Sequence, residues 1–208
     1  MVGEVRIYIE GGGDRRDDKR NLKRGFSVFF DQLRHQSRSG RLRCIPCGGR
    51  SQTHRAFKTA VNQHRDAFNI LLVDSEGPVQ AGTPSWKHLR DREEDKWDLC
   101  NKDGEHCHLM VQAMEAWFIA DKSALATFYK KDFNEAALPK NPNVEEISKD
   151  DLNDCLSKAT KNTKAREYRK TRDGPKILAL LDPSKVRKAP HCEALFHVLE
   201  EQLGISGQ

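Results

Sequence analysis

The sequence predicts an α/β protein with a parallel-rich central sheet, and three observations support this prediction. Strand and helix patterns alternate along residues 4–74. The segment "NILLVD" at 69–74 carries an unbroken apolar run, which is typical of a parallel strand covered on both faces. A glycine turn, "GGG" at 11–13, joins the first strand to a basic helix. These features predict right-handed strand–helix–strand units, with helices on both faces of the sheet.

The first half of the chain gives the clearest elements. In "EVRIYIE" at 4–10, apolar and polar residues alternate as they do in a strand. Apolar residues then recur at helical spacing within 14–36. The segment "RLRCIPC" at 41–47 predicts a strand at the sheet edge, because Pro46 cannot donate a ladder hydrogen bond. A second helix is predicted over 51–68, opened by a polar capping residue.

The second half is more polar. We expect a fourth strand over "HCHLMVQAM" at 106–114, followed by helical structure over 115–133. Residues from Asn134 to about Arg172 are polar and lysine-rich, and "LPKNPNVEEI" within them reads as a loop. Helical patterns return in "DGPKILALLDP" and "HCEALFHVLEEQLG". The apolar content of this half is too small for a separate core. We therefore predict a single domain over 1–208, with a core at about 1–121 and a helical C-terminal extension at about 122–208.

The composition narrows the class of protein. The formal net charge of +5 permits a nucleic-acid partner without establishing one. No apolar run approaches the ~18 residues of a membrane span, and the N-terminus lacks a basic-then-apolar leader. We expect a cytoplasmic protein with no membrane partner, and the composition leaves the oligomeric state open. The glycine turn matches neither the P-loop pattern nor the dinucleotide fingerprint.

The six cysteines allow two interpretations. Cys44 and Cys47 form a C-x-x-C pair, and Cys107 stands between His106 and His108, so a zinc site is one alternative. However, a strand over "LRCIPC" would turn Cys44 and Cys47 to opposite faces. The other alternative, buried free thiols, agrees better with that pattern.

Acidic residues stand where three predicted strands end. The first strand ends at Glu10, the third ends in "DSE" with Asp74 and Glu76, and the fourth leads to Glu115 with Asp121 shortly after. Because ligands of parallel sheets bind beyond the carboxyl ends of the strands, we expect these acids at one rim. Clustered carboxylates repel unless a cation offsets their charge, and oxygen ligands suit Mg²⁺ or Mn²⁺. The alternative is that each acid is an ordinary helix cap or turn residue.

The ordered motifs carry a family resemblance. The segments "YIEGGGD", "LLVDSEGP", "VQAMEAWFIAD", "GPKILALLDP" and "HCEALF" resemble the bacterial family DUF4276 and its RloB-type relatives. The acid pattern resembles a Toprim domain, the metal-binding unit shared by topoisomerases, DnaG-type primases and OLD-family nucleases. Toprim domains end their first strand in a glutamate and their third in an acid-x-acid pair. These positions correspond to Glu10, Asp74 and Glu76, and Glu76 departs from the usual second aspartate.

The resemblance implies metal-dependent cleavage of a phosphodiester in DNA or RNA. By analogy, Glu10 is a metal ligand or general base, Asp74 and Glu76 are metal ligands, and Glu115 serves a second metal or its outer shell. Relatives of this kind often act with an ABC-type ATPase in defence against phage, which implies such a partner here. The rival interpretation is a non-catalytic Toprim-like subunit or sensor docked on that ATPase.

Basic residues supply candidate substrate contacts. Arg50 follows the "GG" after the second strand and is expected near the acidic rim. Further along lies a basic stretch that contains Lys164, Arg166, Lys170 and Lys176. Phosphate contacts need only such charges and are independent of base sequence. The alternative for each is a solvated helix face.

Overall fold

The sheet is four-stranded and parallel throughout. The computed structural model describes residues 2–37, 40–99 and 104–205. Its strands are β1 (Glu4–Glu10), β2 (Arg41–Gly48), β3 (Phe68–Asp74) and β4 (Cys107–Met110). They lie in the order β2-β1-β3-β4, and each neighbouring pair is parallel. The predicted α/β class is confirmed and is consistent with a Toprim-like fold. The Pro46 strand lies at an edge and β3 lies inside the sheet, both as predicted.

Helices connect and cover the strands. In the described residues they are α1 (Arg16–Phe29), α2 (Asp31–Gln36), α3 (Arg50–Gln63), α4 (Ser85–Asp91), α5 (Glu115–Ala120), α6 (Lys122–Tyr129), α7 (Lys149–Thr160), α8 (Lys170–Leu178), α9 (Pro183–Val186) and α10 (Pro190–Gln202). The α1 and α3 helices form the two crossovers between β1, β2 and β3.

Three predicted elements needed correction. The helix expected over 14–36 is divided at Phe30 into α1 and α2. The fourth strand ends at Met110 instead of residue 114, because the chain turns there to begin α5 at Glu115. The second helix, expected over 51–68 with a polar capping residue, spans Arg50–Gln63 and has Gly49 at its N-cap, because β3 begins at Phe68.

The sheet is packed on both faces. On one face, Ile7, Ile9 and Ile70 join a large apolar cluster that also contains buried residues of α1, α5, α8 and α10. On the other face, Tyr8 and Leu71 pack with apolar residues of α3 and α4. The opposite orientation of successive residues in β1 and β3 explains this division. Residues of α7 also belong to the larger cluster, so the C-terminal helices share the apolar core of the sheet.

None of the helices in the described ranges combines the length and the apolar character that a membrane crossing requires.

Helices α1 and α8 approach closely at Gly25, and this contact gives a first prediction. A Cβ added at Gly25 would lie 2.6 Å from the Pro175 carbonyl oxygen and 3.2 Å from its Cα. Alanine gains about 1 kcal/mol of helix propensity over glycine, whereas overpacking costs about 1–3 kcal/mol. Gly25→Ala is therefore expected to lower the free energy of unfolding by up to about 2 kcal/mol, measured by urea denaturation.

The matched control for this substitution is Gly174→Ala, on the facing helix α8. A Cβ at Gly174 meets only side-chain atoms, at 3.4 Å or more, which is ordinary contact distance. We expect this variant to be neutral or slightly more stable than the parent. Equal effects of the two substitutions would contradict the close helix contact as the cause.

Candidate metal centre

Three carboxylates meet where β1 and β3 end. One oxygen from each of Glu10, Asp74 and Glu76 lies within 4.8 Å of the other two. Glu10 is the last residue of β1 and Asp74 is the last residue of β3. Because β1 and β3 are adjacent and parallel, their carboxyl ends open on the same rim. We call Glu10, Asp74 and Glu76 the carboxylate trio.

The trio carries negative charge that is only partly offset. Burial raises the pKa of Glu10 to about 7, repulsion by Asp74 adds to the rise, and the guanidinium of Arg50 opposes it. Burial also raises the pKa of Asp74, while Lys170 acts in the opposite direction. A cation bound to these two carboxylates would lower the pKa of both.

The Asp74 side chain is buried and fixed by hydrogen bonds. The Met114 amide donates to Asp74 Oδ1 at 2.9 Å, and Lys170 Nζ donates to Oδ2 at 3.0 Å. The Asp74 amide in turn donates to Glu10 Oε2 at 3.2 Å. Glu10 and Asp74 are therefore held against each other by the backbone of β3.

A tight turn brings Glu76 into the trio. Its backbone is left-handed, with φ of 63°, and its amide donates to the Gln112 carbonyl at 3.0 Å. Lys149 Nζ, from the first residue of α7, donates to Glu76 Oε2 at 2.6 Å. The longer side chain at this acid-x-acid position thus still reaches the other two carboxylates.

Glu115 lies next to the trio but not in it. It is buried at the start of α5, where it accepts a hydrogen bond from the Tyr168 hydroxyl at 2.8 Å. Lys170 Nζ donates to Glu115 Oε2 at 3.1 Å, in addition to its bond with Asp74. Burial disfavours the charged ammonium, but Asp74 and Glu115 outweigh this and raise the pKa of Lys170 above its ordinary value.

A cavity of about 250 Å³ opens beside the trio. Its lining residues come from the glycine turns, the trio, helices α1, α7 and α8, and the residue before α5: Glu10, Gly11, Gly12, Gly13, Asp18, Leu22, Gly48, Gly49, Asp74, Glu76, Met114, Lys149, Lys170, Thr171 and Pro175. Gly48 has φ of 102°, and a Cβ there would lie 2.2 Å from Gln52 Oε1. One wall therefore consists of backbone without side chains.

Helix N-termini face this cavity. Its lining includes Gly13 and Asp18 at the start of α1, Gly49 before α3, and Lys170 and Thr171 at the start of α8. The N-cap amides of α3 and α8 donate to side chains, Gly49 to Gln52 Oε1 at 3.0 Å and Arg169 to Asp173 Oδ2 at 2.9 Å, whereas α1 has no side-chain hydrogen bond at its N-cap. Exposed amides and the helix dipole make such N-termini favourable for anions. The cavity thus combines acidic side chains with a backbone suited to phosphate.

A comparison with known protein families identifies the family of this chain. A family model described as "Domain of unknown function (DUF4276)" matches residues 9–200. The chain belongs to the DUF4276 family. The matched range contains the whole carboxylate trio together with Glu115, Lys149 and Lys170. No curated protein and no solved structure matches the chain.

In this DUF4276 chain, Arg50 lies at the rim but is engaged by acids. Its guanidinium forms two hydrogen bonds with Asp95, Nε to Oδ1 at 2.8 Å and Nη2 to Oδ2 at 2.6 Å. Nη1 donates to Glu10 Oε2 at 3.0 Å and to the Asp74 carbonyl at 2.5 Å. These contacts orient Glu10, and a direct contact of Arg50 with substrate stays a prediction.

The basic stretch of the DUF4276 chain contributes one lysine to the site. Lys170 lines the cavity, whereas Lys164, Arg166 and Lys176 are exposed and do not line it. Their role as substrate contacts stays a prediction. We did not predict Lys149 as a site residue from the sequence, because its contact with Glu76 depends on where α7 packs.

Asp121 was expected at the acidic rim, and that expectation is wrong. Its carboxylate caps α6, where Oδ1 accepts from the Ala124 amide at 3.3 Å and from Lys185 Nζ at 2.8 Å. The Asp182 amide donates to Oδ2 at 2.9 Å. Asp121 therefore links α6 to the C-terminal helices.

Four of the cysteines described in this DUF4276 chain, Cys44, Cys47, Cys155 and Cys192, are free thiols. Cys44, Cys107, Cys155 and Cys192 are buried, Cys47 is partly buried, and Cys100 lies outside the described residues. Burial raises the pKa of the Cys47 thiol to about 11, which disfavours the thiolate that zinc requires. Within 2–37, 40–99 and 104–205, the carboxylate trio is the group of three close metal-ligand side chains that we find.

Proposed function

We propose that the protein is a Mg²⁺- or Mn²⁺-dependent nuclease of Toprim type that acts as an effector in prokaryotic anti-phage defence. One observation carries this proposal. Glu10, Asp74 and Glu76 place carboxylate oxygens within 4.8 Å of one another at the carboxyl ends of β1 and β3. The donor set consists only of hard oxygen atoms, which fits Mg²⁺ or Mn²⁺ better than softer metals.

The residues of the site have distinct roles in this proposal. Glu10, Asp74 and Glu76 would hold the ion, which supplies a Lewis acid at the phosphodiester. General base is the alternative role for Glu10: without an ion, burial and Asp74 raise its pKa to about 7. Where Asp74 and Glu76 alone hold the ion, the Glu10 carboxylate can accept a proton from an attacking water near neutral pH. Arg50 keeps Glu10 oriented towards Asp74 through its hydrogen bond to Glu10 Oε2.

The cavity supports an anionic substrate. Residues at the starts of α1, α3 and α8 contribute to its lining, and the positive end of a helix dipole favours phosphate oxygens. Exposed basic side chains on the stretch from Lys164 to Lys176 are available for sequence-independent backbone contacts. Both DNA and RNA offer the phosphodiester that this arrangement requires.

The test is cleavage of labelled single-stranded and duplex DNA and RNA, with Mg²⁺, Mn²⁺ or EDTA. We expect metal-dependent cleavage by the parent and at least a ~100-fold lower rate for Asp74→Asn, since neutralising one ligand removes charge that the ion needs. Asp121→Asn is the matched control, a buried aspartate outside the site, and is expected to cleave like the folded parent. Equal cleavage by parent and Asp74→Asn would refute the proposal.

A second candidate function has its own supporting observation. Lys149 and Lys170 already pair with Glu76, Asp74 and Glu115, so these acids have cationic partners without an ion. This pairing favours a non-catalytic subunit or sensor, and docking of that subunit on an ABC-type ATPase is what the family resemblance implies. In that case the purified chain should neither cleave nucleic acid nor bind Mn²⁺.

A further inference from the structure

The Lys170 ammonium lies between two buried carboxylates at the side of the trio. Its Nζ is 3.0 Å from Asp74 Oδ2 and 3.1 Å from Glu115 Oε2. The side chains of Asp74 and Glu115 are 5% and 1% exposed, whereas that of Lys170 is 42% exposed. Nζ therefore bridges two acids of the protein interior while its own side chain lines the open cavity.

The remaining oxygens of these two acids also have partners. Asp74 Oδ1 accepts from the Met114 amide at 2.9 Å, and Glu115 Oε1 accepts from the Tyr168 hydroxyl at 2.8 Å. Lys170 Nζ therefore completes a set of contacts that fixes both carboxylates. A divalent ion placed between Asp74 and Glu115 would have to displace it.

Asp74 belongs both to the trio and to this lysine bridge. In two-metal sites the ions lie about 3.5–4 Å apart and act together on one phosphate. Lys170 Nζ therefore lies beside the trio, between two acids that would otherwise be available to share a second ion. We propose that the Lys170 ammonium occupies this second-cation position, so that the protein binds one divalent ion. This inference rests on the proposed metal-dependent function.

Lys149 does not fill an equivalent position. Its ammonium pairs with a single carboxylate, Glu76, at 2.6 Å, and both side chains are partly exposed, at 33% and 23%. One exposed pair is readily exchanged for water or an ion. The bridge at Lys170 is different, because releasing it would leave two buried carboxylates facing each other.

The test measures how many Mn²⁺ ions the full chain binds, by calorimetric titration and by electron paramagnetic resonance. We expect one ion per chain and an uncoupled spectrum for the parent. Lys170→Met removes the ammonium and is expected to double the stoichiometry to two, with a spin-coupled spectrum. Lys170→Arg keeps a cation and is expected to bind one ion.

Lys185→Met is the matched control. Lys185 Nζ also pairs with a buried carboxylate, that of Asp121, at 2.8 Å, but away from the trio. We expect this variant to bind one ion. The control separates the particular position of Lys170 from the general loss of a lysine beside a buried acid.

The outcomes are distinguishable. Two coupled ions in the parent would overturn the inference and leave the proposed function standing, as would a folded Lys170→Met variant that binds one ion. No Mn²⁺ binding by the parent would overturn the proposed function and the inference together. If circular dichroism finds Lys170→Met unfolded, Lys170→Gln replaces it, because glutamine removes the charge but keeps a hydrogen-bond donor; two ions are expected for it, and one ion would overturn the inference.

Discussion

Replacing Glu10 by glutamine is expected to weaken Mn²⁺ binding at least ~100-fold and to stabilise the metal-free protein at pH 8. Even losing an outer-shell partner of a metal costs about 10–100-fold in affinity, and Glu10 belongs to the trio itself. The gain in stability has a separate cause. Burial and Asp74 raise the pKa of Glu10 to about 7, so its ionised form is unfavourable in the native state.

The pH dependence of stability follows from the direction of this shift. Because the pKa of Glu10 is higher in the folded than in the unfolded state, its destabilising effect is absent below the unfolded pKa of about 4.5. The effect grows as the pH rises from about 4.5 to about 7 and is fully present above that. At about 1.4 kcal/mol per pKa unit, the gain for Glu10→Gln at pH 8 is at most roughly 3 kcal/mol.

Urea denaturation between pH 5 and pH 9, with a Mn²⁺ titration, measures both effects. Glu4→Gln is the control, because Glu4 is the first residue of the same strand and pairs there with Arg6 at 2.9 Å. It is expected to lose up to about 1 kcal/mol and to bind Mn²⁺ normally. A Glu10→Gln variant less stable than the parent at pH 8 would contradict the electrostatic account.

The central part of the site was predictable because it depends on strand order alone. Glu10 and Asp74 end strands whose patterns are clear, alternating in β1 and continuously apolar in β3. Parallel neighbours bring their carboxyl ends together, whatever the later chain does. Glu76 follows Asp74 by two residues and therefore stays near the same rim.

The cationic partners depend on long-range packing, which the sequence pattern does not encode. Lys170 and Lys176 lie in one basic stretch, and only the placement of α8 brings Lys170 to Asp74. The Arg50–Asp95 pair likewise joins residues far apart in the chain.

The sequence of helix α7 has an apolar periodicity, but the polar residues around it obscured this pattern. Leu152, Cys155, Leu156 and Ala159 recur at helical spacing and are all buried. A prediction that gave this apolar periodicity more weight than the lysine and asparagine content would have identified the helix. Its first residue, Lys149, would then have been a candidate partner for the rim.

Replacing Arg50 by methionine is expected to lower the free energy of unfolding by about 3–5 kcal/mol. The change leaves the Asp95 carboxylate, which is 2% exposed, without its bidentate partner. Arg92 still pairs with Asp95 at 3.1 Å, so we expect the lower end of that range. Urea denaturation at pH 6 and pH 8 measures the loss.

The loss in the free energy of unfolding of Arg50→Met should be larger at pH 8 than at pH 6, because the charge of Glu10 changes between these pH values. Arg50 donates to Glu10 and opposes the rise in its pKa. At pH 8 the parent's Glu10 is ionised and is stabilised by Arg50, whereas at pH 6 it is largely protonated and gains little from it. Arg20→Met is the control, because its pair with Asp17 is 75% and 74% exposed and should contribute under ~1 kcal/mol. A loss at Arg50 as small as at Arg20, and independent of pH, would mean that Arg50 is not the counterion of this rim and is available to bind substrate.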